Sequence, residues 1–358
     1  MSRVLVTGGA GFIGSHVVDA LLTHGLDVTV LDNLSPAAHA ARPGYLREED
    51  VHYRLADVRD PEAVNEALDG CDGVAHLAAM VGLGVDLGDM NDYVSTNDAG
   101  TATLLSGMHA RGFEGPLVLA SSMVVYGEGR YRCGIHGAVH PGPRREEDLA
   151  AGRFEPPCPD CGSDLVPEPV QEESPSDPRN VYAATKLHQE HLGQAWSRET
   201  GQPLSSFRYH NVYGPRMPRD TPYAGVASIF RSACEAGRSP QVFEDGGQMR
   251  DFVHVEDVAR ATISPFLHPD APPGPYNVAT GFPHTVGEMA SALASAFEPG
   301  APPPLITGEY RLGDVRHVFA SVDRLRELLG VEAAVPFAEG MRGFAIAPLR
   351  GAGEWEAG

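Results

Sequence analysis

Tyr182-Ala-Ala-Thr-Lys186 sets a phenol and an ammonium four residues apart, a spacing that stacks both groups on one face of a helix. A cation beside a phenol favours the phenolate, so the pair could lower the Tyr182 pKa toward neutrality and make it a general base. Tyrosine and lysine often meet this spacing by chance, and alone they read as surface residues. Ala120-Ser121-Ser122 changes the reading, because it ends an apolar strand pattern and open α/β sheets bind ligands at that edge. Ser122 can there hydrogen-bond the oxygen that Tyr182 deprotonates. The three form a proton-transfer triad of the kind that accompanies hydride transfer.

A second chemical feature lies near the N-terminus. Val4-Leu5-Val6-Thr7 runs into Gly8-Gly-Ala-Gly-Phe-Ile-Gly14, and Ile13, Val17, Val18, Leu21 and Leu22 then recur at helical spacing. Between strand and helix such a turn can seat a pyrophosphate: Gly8 permits the tight turn, Gly11 lets the backbone approach, and Gly14 lets the helix pack on the sheet. Asp32 closes the next strand, Asp27 to Leu31, 18 residues after Gly14. A carboxylate there accepts from ribose hydroxyls and repels a 2′-phosphate, which favours NAD over NADP. Asp32 could instead simply begin an Asx turn before Asn33. Asp57, after the strand at Tyr53 to Leu55, could reach an adenine or cap the helix that follows.

The elements that must position these residues alternate. Helical patterns at Pro61 to Leu68, Thr96 to Gly112 and Tyr182 to Arg198 are interleaved with strands at Gly73 to Leu77, Leu117 to Ala120 and Ser205 to Tyr209, which calls for a parallel, doubly wound sheet. Residues 128–178 break the rhythm as an insertion rich in Pro, Gly and charge. Residues 1–205 are expected to form the nucleotide-binding domain and 206–345 a smaller substrate-binding domain, with some segments returning to the first. Pro299 to Pro304 reads as a surface loop and 346–358 as a tail, frayed after Arg350.

Composition bounds the partners. The 358 residues are 42% hydrophobic with a net charge of −21. No run approaches the roughly 18–20 apolar residues of a membrane helix, and no signal-peptide core follows Met-Ser-Arg, so a soluble cytoplasmic protein is expected. The acidity argues against nucleic acid and requires that an anionic substrate be met by locally placed arginines.

The motifs together resemble the extended short-chain dehydrogenase/reductases, specifically nucleotide-sugar epimerases. They are the glycine run, His76-Leu-Ala-Ala79, Ser121-Ser-Met-Val-Val-Tyr-Gly127, Tyr182-x-x-x-Lys186, Arg208-Tyr-His-Asn-Val-Tyr-Gly-Pro215 and Arg250-Asp-Phe-Val-His-Val255. The resemblance spans residues 3–345 outside the insertion and implies a Rossmann-type fold, a homodimer built on helices near 98–112 and 182–198, and tightly held NAD. It makes Tyr182 the base, Lys186 the holder of the nicotinamide ribose and Ser122 a partner in proton movement. It adds Phe12, Ile13, Asn33, Val58, Leu77, Ala78 and Ala79 to the cofactor site. Asn211, Arg250 and Arg316 would bind the substrate diphosphate, with Phe243 near the base. Bidentate guanidinium recognition supports the arginines independently, although Arg250 could pair with Asp251 or Asp257, and Phe243 could be core.

In dehydratases of this family a Thr followed by Asp-Glu, and in the decarboxylases a Glu after the Ser or Thr, supplies the extra acid or base. Met123 and Val124 follow Ser122 here and can do neither task. C4 epimerisation through a transient 4-keto sugar is the reaction left. A regulator or scaffold that only bound NAD would be expected to have lost the triad. Residues 80–85, Met-Val-Gly-Leu-Gly-Val, occupy the loop that approaches the sugar in this family; being apolar or small, they would suit a 6-methyl group, as in dTDP-L-rhamnose, or would merely pack the loop. A UDP-hexose or UDP-uronate is the alternative substrate. His210 stands where the family usually has Phe.

Cys133-Gly-Ile-His136 and Cys158-Pro-Asp-Cys161-Gly162 have the spacing of a small zinc ribbon. Four such ligands would hold a structural zinc, with His136 and His140 competing for the fourth place, and a reduced, metal-free loop is the alternative. The insertion is expected to lie over the active-site mouth. Cys71 and Cys234 read as buried small hydrophobes.

Overall fold

Runs such as Val4-Leu5-Val6-Thr7 and Leu204 to Tyr209 carry no polar alternation because both faces of their sheet are covered. A computed structural model describes residues 3–350 except 37, 40–41, 83–86, 220–224 and 298–299. Strand β1 (Arg3–Thr7) leads through helix α1 (Phe12–Thr23) to β2 (Asp27–Asp32) and β3 (Val51–Leu55). The chain then crosses back by α2 (Pro61–Ala67) to β4 (Gly73–His76), and by α3 (Met90–Tyr93) and α4 (Gly100–Ala110) to β5 (Leu117–Ser122). With β9 (Leu204–Tyr209) and β14 (Gly274–Val278) these strands form a parallel seven-stranded sheet, ordered β14-β9-β5-β4-β1-β2-β3. The order reverses between β1 and β4, the crevice where such sheets take ligands. β14 comes from beyond residue 206, so the second half of the chain does return to the first sheet.

One apolar layer, with Val17, Leu21, Val258 and Phe266, covers the sheet on the side of α1 and α8 (Val255–Leu267). Another, with Val64, Leu104, Met108 and Trp196, lies under α2, α4 and α6 (Val181–Thr200). A third core around Tyr213, Phe230, Met289 and Phe344 joins the C-terminal helices to short strands.

The helix read as Thr96 to Gly112 starts earlier, at Met90, and passes through a π-helical turn, Val94–Ala99, before α4. That turn puts Asn97 inside, where its carboxamide accepts from Met80 N–H at 2.7 Å and donates to the Met80 carbonyl and to Thr185 Oγ1. The insertion bounds also need correction. Strands β6 (Arg130–Cys133), β7 (Gly137–Val139) and β8 (Leu165–Glu168) form its own three-stranded sheet. Residues 170–177, by contrast, belong to the body: Val170 is buried and bridges Ala320, and buried Glu172 accepts from Asn277 N–H at 2.8 Å. Leu83, Gly84 and Val85 of the expected sugar loop, Pro299 and the tail after Arg350 lie outside the described residues. Among the described residues no helix is long and apolar enough to cross a membrane.

A hydrogen-bond chain pins the switch point. Ala78 N–H donates to Thr7 Oγ1, which lies 2.7 Å from His76 Nδ1; His76 Nε2 lies 2.9 Å from Thr101 Oγ1, which donates to the Asn97 carbonyl. A neutral ring satisfies the chain, with Nε2 donating to Thr101 and Nδ1 accepting from Thr7, and burial pushes the His76 pKa down to about 3. His210, buried with neither ring nitrogen hydrogen-bonded, is pushed down to about 4, also by burial. Unfolding lets both protonate, so the unfolded state binds more protons below about pH 6.5 and stability falls as pH drops toward 4. We expect about 1.4 kcal/mol lost per pH unit per buried histidine in that window. Thermal melts between pH 7 and 4 check this, and His210→Phe should flatten the slope.

Candidate active site

Asn180 accepts from Ala183 N–H at 2.8 Å and so fixes the start of α6, placing Tyr182 in its first turn and Lys186 one turn on. The Lys186 ammonium donates to the Ala120 carbonyl of β5 at 2.9 Å and sits 5.9 Å from the centre of the Tyr182 ring. Ser122, at the end of β5, stands near enough to Tyr182 that its hydroxyl favours the phenolate, and the Tyr93 ring lies 6.2 Å from that of Tyr182. The three triad residues are thus brought together.

The electrostatic expectation is corrected. Burial pushes Tyr182 up to about 12, against the opposing pull of Ser122, and pushes Lys186 down to about 8. Desolvation wins because the ammonium is turned toward a carbonyl rather than the phenol oxygen and is itself stripped of water. Behind the triad, Glu190 takes a bidentate ion pair from Arg208 at 2.8 and 2.9 Å and also accepts from Ser121.

At the glycine turn, a Cβ on Gly14 would stand 2.1 Å from the Gly8 carbonyl oxygen, so only glycine lets α1 pack there. No side chain caps α1 and no acid occupies its first turn, which leaves donors at Phe12 and Ile13 for an anion. Asp32 makes the Asx turn, one oxygen accepting from Leu34 N–H at 2.9 Å, and its other oxygen accepts from Ala10 N–H at 3.0 Å in the glycine turn. Asn33 donates to Asp57 at 2.9 Å, and Arg59 holds Asp57 down to about 2. Asp57 is not the helix cap, since Asp60 caps α2. Val58 is buried, while Leu77, Ala78 and Ala79 follow β4 beside Gly8. The donors, the uncapped helix and Asp32 fit NAD.

On the other side of the crevice, Asn211 opens β10 (Asn211–Tyr213) with its side-chain oxygen unbonded. Arg250, in β12 (Met249–Arg250), donates to the carbonyls of Met249, Val315 and Arg316 at 2.6–2.9 Å. It does not pair with Asp251, which holds Thr280 and Gly281, nor with Asp257, which pairs with Arg260. Phe243 is half-buried and outside the apolar clusters, with the Arg311 guanidinium 5.0 Å over its ring.

Arg316 departs from its expected role. Its side chain is 3% exposed and its donors are taken by Glu155, Glu244 and Asp245 at 2.6–2.9 Å. Three carboxylates around one guanidinium leave nothing for a diphosphate. Arg311 is exposed and has no carboxylate within 4.0 Å among the described residues. Sequence reasoning missed it, although its own neighbour Gly313-Asp314 lies in the same segment. Met80 and Val81 flank the Asn97 clamp, with Val81 exposed.

In the insertion, Cys133 Sγ lies 3.7 Å from both His136 Nδ1 and Cys161 Sγ, and Cys158 Sγ lies 3.6 Å from His136 Nδ1. All four ligand atoms fall within 4.8 Å of one another. His140 is not among them and faces Asp177 at 3.4 Å. Cys234 is buried and Cys71 partly so.

The profile of the NAD dependent epimerase/dehydratase family matches residues 4–279. The chain belongs to this family. It is 34% identical over 333 residues to a dTDP-L-rhamnose 4-epimerase of Burkholderia thailandensis, covering 92% of this chain and 90% of that one. It is 30% identical over 343 residues to a UDP-glucose 4-epimerase of Mycolicibacterium smegmatis, covering 95% and 96%. Among solved structures, a Thermus thermophilus UDP-glucose 4-epimerase complexed with NAD superposes with a TM-score of 0.75 at 32% identity, covering 96% of this chain and 97% of that one. Within this family member, Arg316 acts as a buried pin. Arg316→Met should leave Glu244, itself 2% exposed, with Arg144 as its one remaining cation and Glu155 and Asp245 without theirs, at a cost of about 3 kcal/mol; calorimetry should show a Tm about 5 °C lower.

Proposed function

We propose that this protein is an NAD-dependent epimerase that inverts C4 of a nucleotide-activated sugar. The observation that carries the reading is Lys186 at the Tyr182 ring and bonded to the Ala120 carbonyl, two residues before Ser122 at the end of β5, on the edge of the sheet that also bears the Gly8–Gly14 turn. When bound, NAD supplies the hydride acceptor and donor for the sugar carbon. Tyr182 Oη exchanges the proton of the C4 oxygen while Ser122 Oγ holds that oxygen. A phenol held near 12 is protonated at rest and ready to return its proton; to serve as base it needs cationic charge, to which Lys186 contributes. Residues 1–205 with β14 hold the cofactor and 206–345 the nucleotide sugar. Asn211, Arg250 and Arg311 receive the diphosphate, and Phe243 lies at the base.

The favoured substrate is a dTDP-6-deoxyhexose such as dTDP-L-rhamnose. The apolar Met80 and the exposed Val81 support it, as does the Burkholderia thailandensis relative. The likeness to UDP-glucose 4-epimerases favours a UDP-hexose as the second reading. A homodimer through α4 and α6 and a cytoplasmic location complete the proposal; the exposed Leu87, Met90 and Val94 beside α4 suit an interface.

Zinc held by Cys133, His136, Cys158 and Cys161 staples the insertion. The separations of 3.6–3.7 Å are those of ligand atoms about 2.0–2.3 Å from a tetrahedral centre. All four positions are filled by protein, so the metal is structural. Elemental analysis should give about one zinc per chain; less than about half would remove the site.

Incubation with dTDP-L-rhamnose, UDP-glucose and UDP-glucuronate, followed by NMR, should show a C4 epimer of one of them, with NAD released only on denaturation. Net NADH formation without any epimer would sink the reading. Tyr182→Phe should reduce turnover by at least about 10²-fold with NAD content unchanged.

A further inference from the structure

The Cys/His insertion does not stand apart from the body. Glu155, between its helix α5 (Glu146–Ala150) and Cys158, accepts from Arg316 Nε at 2.7 Å and meets His317 Nε2 at 2.9 Å. His317 Nδ1 accepts from Met249 N–H at 3.1 Å, so Nε2 carries the proton that Glu155 takes. Met249 precedes Arg250 in β12, which pairs with β17 (His317–Val318). Arg316 in turn binds Glu244 and Asp245, the residues that follow Phe243, and Arg144 of the insertion closes the ring by pairing with Glu244 at 2.8 Å and donating to the Asp314 carbonyl at 2.7 Å. Phe154 lies against the Arg316 guanidinium, 5.8 Å from its ring centre. The links run from the insertion to the two segments that present Arg250, Phe243 and Arg311, and between those two segments.

We propose that Glu155 is a positioning residue for the nucleotide end of the substrate, through which the Cys/His-organised insertion sets the geometry of the diphosphate and base subsite. The inference rests on the nucleotide-sugar reading above. Glu155 itself touches no substrate; it orients Arg316 and His317, and these hold the turn after Phe243 and the strand bearing Arg250. Loosening that clamp moves the binding groups without reaching Tyr182, Ser122 or the glycine turn, so its effect falls on substrate affinity and spares the chemical step.

The test compares full-length wild type, Glu155→Gln and Glu155→Asp, measuring dTDP and UDP affinity by calorimetry, KM and kcat on the accepted sugar, and NAD and zinc content. Glu155→Gln is expected to raise KM and weaken nucleoside diphosphate binding about 10-fold, leaving kcat within about 2-fold; NAD and metal content should be unchanged, and Glu155→Asp should recover part of the loss. Unchanged KM and nucleotide affinity would overturn the proposal, as would a fall in kcat together with loss of NAD. If Glu155→Gln does not fold, Arg144→Gln reads the same clamp by the same KM and kcat split. A wild type that binds neither dTDP nor UDP overturns the nucleotide-sugar reading along with it, whereas equal binding by wild type and variant overturns only the role of Glu155.

Discussion

The close approach of two strand ends governs the rest of the molecule. Gly8 takes a φ of +71° where β1 turns, and a Cβ there would lie 2.7 Å from Ala78 N, just past β4. With no side chain in the way, Thr7 can join the Ala78 amide to a neutral His76, and Thr101 and Asn97 carry the chain into the π-helical turn. That contact fixes the crevice at the switch point, the first turn of α1 that borders it, and the face of α6 that Asn97 meets through Thr185. Burial keeps the arrangement neutral and costs nothing in unpaired donors, since each polar group in the chain has a partner.

Features carried by local spacing were legible in the sequence. The glycine turn, Asp32 at the end of β2, and Tyr182 and Lys186 one turn apart depend on residues within about twenty positions of one another. The alternation of strands and helices likewise gave the sheet. Asn97, Thr101 and Gln189 were not legible, because polar residues in a helical stretch read as a solvated face until the fold turns them inward. The arginines show the same limit more sharply. Whether Arg316 or Arg311 is free depends on Glu155, Glu244 and Asp245, which lie 161, 72 and 71 positions from Arg316 in the chain. The Tyr182 shift was misjudged for a related reason: spacing reveals the neighbouring cation but not the depth at which the phenol is buried. The insertion was read as longer than it is, because the Pro-rich composition around Val170 and Glu172 hid two residues the body uses.

The region around Arg316 shows how an acidic protein manages a basic site. With a net charge of −21, carboxylates are plentiful enough to cage one arginine and leave others for a ligand. Glu244 is shared between Arg144 and Arg316 with both partners buried, so that one carboxylate ties the insertion to the body and either arginine depends on it for compensation. Such an arrangement favours one docked position of the insertion over sliding alternatives.

The insertion leaves and re-enters the body through a narrow neck: Arg130 pairs with Glu168 where β6 and β8 meet, and deeper in the body Asp177 N–H donates to the Val125 carbonyl at 2.9 Å. With its ends already adjacent, lengthening or shortening the excursion changes loop-closure entropy only by about 0.6 kcal/mol per doubling. The neck therefore behaves as a socket, through which a lineage can acquire, trim or exchange an entire module between Ser122 and Tyr182 while the distance between those two side chains is set by β5 and α6.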